Sequence, residues 1–314
     1  MVKSNRWFSN AKEVLRKDWQ LYVMLLPLFV WLCFFAYKPL YGLVIAFKDY
    51  SVFKGVEASP WVGFEHFKYL LTGPGSVFFW RAFKNTVIIS IYNILFGFPI
   101  PIILAIMFNE VKKVFFRKSV QTIVYLPYFF SDVVIAGIII SLLSPNIGVI
   151  NNILISLGII EKGIYFLVEP KFFRSIFVLS DIWKTSGFNS IVYFAAMASI
   201  SPILYEAAKI DGATKLQQIW YVTIPSIVPT IIIMLILRIG QLLNVGYERV
   251  LLLYTPQTYE VADIISTYIY RIGLKENGML DVAAAAGLFN SIIAFLLVFA
   301  TNRITKKMTD TGLW

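Results

Sequence analysis

The sequence predicts an all-α, polytopic membrane protein with six transmembrane helices, on three observations. Of its 314 residues 58% are hydrophobic and 15% charged, against roughly 45–50% and 25% in soluble domains. Mean hydropathy is +0.73, and several apolar runs approach the about 20 residues that a helix needs to cross a bilayer. These runs are apolar at most positions rather than alternating over about ten residues, which selects helices over a β-barrel.

The spans fall near Leu21–Phe47, Asn85–Phe108, Val120–Leu143, Phe172–Ile200, Ile224–Gly246 and Ala283–Thr301. Residues 1–20, MVKSNRWFSNAKEVLRKDWQ, have the basic character of a signal peptide. The apolar run that follows is too long for one and lacks a small-residue cleavage pattern, so it reads as a retained first span. In the second span Gly97-Phe98-Pro99-Ile100-Pro101 removes a ladder hydrogen bond and admits a bend, which predicts a kink. Gly137 and Gly287 are candidates for close helix contacts.

The fourth span carries a polar stripe, Asp181, Lys184, Thr185 and Asn189, about 140° wide and flanked by Tyr193. In the fifth, Arg238, Gln241, Asn244 and Glu248 fall within a sector of about 120°. Polar groups at membrane depth face a bundle interior or a wet cavity, so both stripes are candidates for a translocation route. Helix–helix hydrogen bonding is the structural alternative, including a pair between Asp181 and Lys184, three apart. Arg238 sits about 20 Å along its helix past Pro225. Such a charge needs a partner, and the candidates are Asp132, Glu248 or an anionic group on the cargo.

Lys and Arg concentrate in the N-terminal tail (Lys3, Arg6, Lys12, Arg16, Lys17), in the link EVKKVFFRK, at Lys209 and Lys215, and at Arg303, Lys306 and Lys307. The positive-inside rule places these pieces in the cytoplasm. The chain then divides into a cytoplasmic segment 1–20, a membrane domain 21–301 with a cytoplasmic loop at 201–223, and a cytoplasmic tail 302–314. This asymmetry accounts for the net charge of +10 without nucleic acid as a partner. The single Cys33 can form no intrachain disulfide. His66, alone in a polar loop, reads as a surface histidine rather than a metal ligand.

One stretch, SPILYEAAKIDGATKLQQIWYVTIPSIVP (201–229), is too polar for a span and too patterned for a simple link. Ser201 and Pro202 suit an N-cap and first helical position. Gly212 suits the turn that stops the helix, and Thr214 with Gln217 forms a capping-box pattern that starts the next. The result is helix, sharp turn, helix, presenting Glu206, Ala207 and Ala208. From the residues alone an interfacial linker remains the alternative. The chain contains no G-x-x-x-x-G-K-[ST] phosphate loop, so it has no such cradle for nucleotide phosphates.

Glu206, Ala207, Ala208, Asp211 and Gly212, followed by Ile224-Pro225, resemble the EAA motif of ABC importer permeases. DVAAAAGL (Asp281–Leu288) and TYIYRIGL (Thr267–Leu274) are similar to MalF-type permeases of carbohydrate importers. NVGYERVLLLY (Asn244–Tyr254), YEVAD (Tyr259–Asp263) and YLPYFFSDVV (Tyr125–Val134) resemble the LplB-like polysaccharide and aldouronate branch. The resemblance implies the ABC importer permease (MalF/MetI-like) fold. It implies that Glu206, Ala207, Ala208, Asp211, Gly212 and Pro225 couple the chain to a separate ATPase, and that the chain sits in a bacterial cell membrane. The implied partners are a second homologous permease in a heterodimer, two ATPase subunits, an extracytoplasmic sugar-binding protein and an oligosaccharide. ATP and Mg would be bound by the ATPase, leaving this chain without a cofactor. Uronate-containing, acidic cargo is the finer reading.

A stand-alone ion-coupled secondary sugar carrier is the rival class, with Asp132 or Asp181 as its ion site. It offers no reason for the 201–229 pattern. An intramembrane enzyme would need a constellation such as a serine–histidine pair or a metal cluster within the spans, and the sequence offers none.

Overall fold

The computed structural model describes residues 17–276 and 278–309, with side chains through residue 307. The basic residues Lys3, Arg6, Lys12 and Arg16 and the end of the tail, 310–314, lie outside the described residues. Among the described residues four helices are long and apolar enough to cross a membrane: Trp19–Phe47, Ser76–Glu110, Lys215–Gly240 and Leu280–Lys307. Two bent pairs bring the number to six when each is taken as one span: Val114–Phe129 with Asp132–Leu142, bent by 101°, and Pro170–Ala198 with Pro202–Ile210, bent by 71°. The described residues form no β-strand; Lys48 and Trp61 make an isolated bridge.

The spans depart from their expected limits for local reasons. The second starts at Ser76 rather than Asn85, because its first turns bury Phe79 and Ala82 against Tyr268, Ile265 and Ala286. At Gly97–Pro101 the span stays continuous. A π turn over Asn93–Gly97 leads directly into the helix that opens with Pro99, so the missing proline donors fall where the ladder is already widened.

The third span is not one helix over 120–143. It breaks at Phe130–Ser131, where Ser131 is extended and its Oγ accepts the amide of Val134 at 3.3 Å, starting a new helix at Asp132. The close helix contact lies elsewhere than expected. A Cβ on Gly137 would meet open space and one on Gly287 would make only ordinary contact, whereas one on Gly187 would lie 2.1 Å from the carbonyl oxygen of Val124. The first half of the third span therefore rests directly on the backbone of the fourth.

The fifth span ends at Gly240, not Gly246. A turn follows, and Tyr247–Leu253 forms a separate short helix. The sixth runs longer than expected at both ends, over Leu280–Thr309, with Asp281 in its first turn and Lys306 and Lys307 in its last, complementing the helix dipole. The first span is exposed along most of its length and buries Ala46 near its end.

Three apolar clusters hold the bundle. Ile89, Ile135, Phe173, Phe177, Val250 and Leu253 form the central one. Ala46, Leu70, Phe79, Tyr268, Val282 and Ala286 close the end that carries the 48–75 and 254–276 segments. Ala105, Tyr193, Met197 and Ile227 close the other. His66 is tucked into the first of these ends, its Nε2 3.0 Å from the carbonyl of Lys48 and 3.5 Å from Asp281.

Candidate functional site

Two neighbourhoods hold the residues singled out from the sequence: a knob at 201–225 and a polar centre where the fourth and fifth spans meet.

The knob begins with Pro202–Ile210, led in by Ser201 in extended backbone, although the serine side chain makes no capping bond. The helix is stopped by Gly212 at φ +77. The Gly212 amide donates to the carbonyl of Lys209 at 3.0 Å and the Ala213 amide to that of Ala208 at 2.9 Å. This pair of bonds is the Schellman closure, which requires the left-handed residue that glycine supplies. Thr214 and Gln217 complete a reciprocal capping box, the Thr214 amide donating to Gln217 Oε1 at 2.7 Å. The Tyr205 hydroxyl lies 2.9 Å from Thr223 Oγ1 and Gln218 donates to the Ala213 carbonyl at 2.9 Å, so both arms of the turn are tied. Glu206, Ala207, Asp211 and Gly212 are exposed and Ala208 is half-buried. Ile203, Leu204, Ile210 and Leu216 add exposed apolar surface. Pro225 sits in the first turn of Ile224–Gly240, after a π turn over Ile219–Thr223. Lys215 reaches Glu110 at the end of the second span at 3.0 Å. That exposed pair contributes little energy.

At the centre, five charges form a chain. Lys184 Nζ lies 3.0 Å from Asp132 Oδ1, which also accepts Arg249 Nε at 2.8 Å. Arg249 Nη1 then donates to Asp181 Oδ1 at 3.2 Å, and Asp181 Oδ2 accepts Arg238 Nη2 at 3.1 Å. The third span's break puts Asp132 at a helix start facing the fourth span. The short helix Tyr247–Leu253 folds back so that Arg249, with a side chain 4% exposed, lies between the two carboxylates. Three cations on two carboxylates leave one positive charge over, and Arg238, the most exposed member at 32%, is the end of the chain.

This arrangement corrects three sequence readings. Asp181 and Lys184 do not pair with each other; each takes a partner on another element. Arg238 is held by Asp181 rather than by Asp132, which Lys184 and Arg249 occupy, or by Glu248. The stripe through Arg238, Gln241, Asn244 and Glu248 is not one helical face, because the helix ends at Gly240. Glu248, on the next helix, is exposed and lines neither central cavity.

Arg238, Gln241 and Asn244 nevertheless converge. With Asp181, Ser90 and Asn93 they line a polar cavity of about 60 Å³. Arg238 and Gln241 also face a second cavity of about 250 Å³, whose walls include Thr185, Asn189, Tyr193 and the Gly97–Pro101 turn. Tyr193 is buried, with its ring edge-on to Phe98. Ser90 donates to the Leu242 carbonyl and so satisfies the broken helix end. Asn93 Oδ1 is buried without a partner among the described residues. Irregular backbone at membrane depth persists only where protein buries it or water fills the space beside it.

Arg249 and a second buried pair escaped the sequence reading. Arg271 Nη2 donates to Asp263 Oδ2 at 2.5 Å, and Thr267 to Asp263 Oδ1 at 2.8 Å. Burial pushes the Asp263 carboxyl above its ordinary value, with Arg271 and Thr267 opposing. Arg249 follows Glu248 in NVGYERVLLLY and Arg271 stands in TYIYRIGL, and the signal was an arginine inside a largely apolar run. Among the described residues no three His, Cys, Asp or Glu side chains converge as a metal site.

Comparison with known proteins gives a consistent picture. Residues 70–309 match the family described as binding-protein-dependent transport system inner membrane component. The polygalacturonan/rhamnogalacturonan transport system permease protein YteP of Bacillus subtilis is 40% identical over 294 residues, covering 94% of this chain and 90% of that protein. A chain of a bacterial ABC transporter involved in the import of the acidic polysaccharide alginate superposes with a TM-score of 0.87 at 48% identity, covering 96% of this chain and 99% of that one. A chain of a bacterial alginate ABC transporter in complex with an alginate pentasaccharide-bound periplasmic protein matches equally, at a TM-score of 0.87, 48% identity and coverage of 96% and 99%.

Proposed function

As this chain belongs to the family of binding-protein-dependent transport system inner membrane components, we propose that it is the permease subunit of a bacterial ATP-driven importer of acidic oligosaccharides or polysaccharide fragments. The observation that carries the reading is the knob, an exposed and internally tied helix–turn–helix with Glu206, Ala207 and Ala208 on its surface. A flexible link would not need a Schellman closure, a capping box and the Tyr205–Thr223 contact.

The knob continues without interruption into the fifth span, Lys215–Gly240, and that span ends beside Arg238. A displacement of the knob by a docked ATPase is thereby carried along one helix to the polar cavities. Closure of an ATPase pair around ATP and Mg would move the knob, and the spans would switch access from one side to the other. The chain itself performs no bond chemistry and is not an enzyme. Its cavities would hold cargo weakly, since a tight site would trap the sugar instead of passing it on.

The knob end is cytoplasmic in this reading, as are both termini, and the 48–75 and 254–276 segments face outward. The partners are a second, homologous permease in a heterodimer, two ATPase subunits and an extracytoplasmic sugar-binding protein. The exposed first span and the small-residue groove at Gly273, Ala283, Ala284 and Gly287 offer surface for the second permease. The substrates named for the relatives, polygalacturonan/rhamnogalacturonan and alginate, and the surplus positive charge at Arg238 support acidic cargo.

The test is reconstituted uptake of an acidic oligosaccharide with ATP, binding protein and ion gradients supplied in turn. Uptake that needs ATP and the binding protein is expected. Uptake driven by an ion gradient alone would overturn the reading in favour of a secondary carrier.

A further inference from the structure

A cavity of about 330 Å³ lies where the starts of the second and sixth spans meet the 259–276 segment, away from the central charge chain. Its volume is at the small end of the about 300–1,000 Å³ usual for small-ligand sites. Tyr69, Tyr259 and Tyr268 form its aromatic walls, and Arg81, Arg271 and Glu276 supply its charge. None of the central pathway residues lines it.

The two arginines differ. Arg271 is committed: it bonds Asp263 at 2.5 Å, reaches Glu276 at 3.8 Å, and lies 4.8 Å from the Tyr259 ring and 5.9 Å from that of Tyr268. Arg81 packs 5.3 Å over the Phe78 ring, makes no hydrogen bond or ion pair with the described residues, and has its Nε buried without a partner. The fully buried Asp263 is already taken by Arg271 and Thr267, and Glu276 is half-exposed beside Arg271. Arg81 feels the Asp263 carboxylate at a distance, but that carboxylate is hydrogen-bonded to Arg271 and Thr267, so Arg81 is a guanidinium with no hydrogen-bonded anion in an aromatic-walled cavity. A partly desolvated charge left in this state is costly, and the arginine fork matches a carboxylate. Tyrosine rings present an apolar face with a polar tip, which suits a sugar ring bearing hydroxyls.

We propose that this cavity is an entry site that binds the carboxylate of a uronic-acid unit through Arg81, with the tyrosines bounding the space around its ring, before the sugar reaches the central route. The proposal rests on the reading of the chain as an importer of acidic oligosaccharides. It adds a second and separate point of contact for that cargo.

The test uses the complete transporter in nanodiscs, without binding protein. In a Cys33→Ser, Met279→Cys chain the new thiol stands on the cavity wall and is labelled with a maleimide, with trigalacturonate or its carboxyl-reduced neutral analogue as the probe. Trigalacturonate is expected to slow labelling severalfold and saturably, and the neutral analogue to leave it unchanged. Arg81→Gln should remove the protection in a complex that still assembles, and Arg81→Lys should retain part of it. Unprotected labelling in the Arg81 chain, protection that survives Arg81→Gln, or equal protection by both sugars overturns the proposal. A further arm adds the sugar-free binding protein. If that protein alone protects the thiol and Arg81→Gln abolishes its effect, the carboxylate belongs to the binding protein and the sugar site is rejected. ATP-driven uptake by the same complex supplied with its binding protein separates the two readings. Uptake of acidic sugar without protection rejects the cavity alone, whereas absence of uptake of either sugar rejects the transport reading.

Discussion

Arg249 Nε donates to Asp132 Oδ1 at 2.8 Å while its Nη1 reaches Asp181 Oδ1 at 3.2 Å. One guanidinium thereby fastens the second half of the broken third span to the middle of the fourth. Removing one member of a buried ion pair costs about 3–5 kcal/mol because the others stay desolvated and unpaired. Arg249→Met should therefore lower the thermal midpoint of the detergent-solubilised complex steeply, followed as monodisperse protein surviving a heating series. Arg249→Lys should recover only part, since an ammonium cannot span two carboxylates as a planar fork does. An unchanged midpoint in Arg249→Met would mean that the bridge holds nothing together.

The knob gives a prediction that separates folding from coupling. Gly212 has φ +77 and its amide bonds the Lys209 carbonyl; proline at this position is locked near −65° and has no amide hydrogen. Gly212→Pro should leave the spans inserted and abolish ATP-driven uptake. Glu206→Lys should do the same by reversing an exposed charge on the proposed docking surface. Co-purification of the ATPase shows whether docking or transmission is lost. Wild-type uptake in both variants would remove the knob from the mechanism.

Two glycines should respond with opposite sign. Gly187→Ala places a methyl 2.1 Å from the Val124 carbonyl oxygen, whereas Gly137→Ala meets nothing within 4 Å. The first should cost about 1–3 kcal/mol through overpacking. The second should gain about 0.5–1 kcal/mol from restricting the unfolded chain and improving helix propensity. Thermal midpoints of the two complexes, compared with wild type, check both signs.

These contrasts mark what can be read from a sequence here. The knob was legible because its instructions are local: Pro202, Gly212 and the Thr214–Gln217 pair act within four residues of themselves. The six apolar runs were legible for the same reason. Arg238's partner was not, because it depends on where the fifth helix stops. The turn after Gly240 carries Glu248 away, and the return of Tyr247–Leu253 into the core brings Arg249 to Asp132 and Asp181. Helical spacing alone places Glu248 on the same face as Arg238. The break at Ser131 lay within reach, since Ser131-Asp132 is an N-cap signal inside an apolar run, but hydropathy averaged over the run conceals it.

Arg238 carries the last prediction, because it belongs at once to the charge chain and to both cavities. Asp181 already accepts Arg249, so Arg238→Gln leaves two cations on two carboxylates and removes only the surplus charge. Assembly should fall modestly. The cavity, however, loses the one guanidinium that is both partly exposed and close to Gln241 and Asn244. A hydrogen bond to a charged group contributes about 1.5–3 kcal/mol, and each 1.4 kcal/mol is tenfold. Uptake of an acidic oligosaccharide at low concentration should therefore drop by roughly one to two orders of magnitude. Uptake of its carboxyl-reduced analogue, which never used the charge, should change little. The comparison is made in one proteoliposome preparation with the same ATPase and binding protein, so a coupling defect would depress both sugars together. An equal loss would assign Arg238 to structure, with Asp181 as its whole purpose, and would leave the cargo's charge to be recognised elsewhere in the transporter.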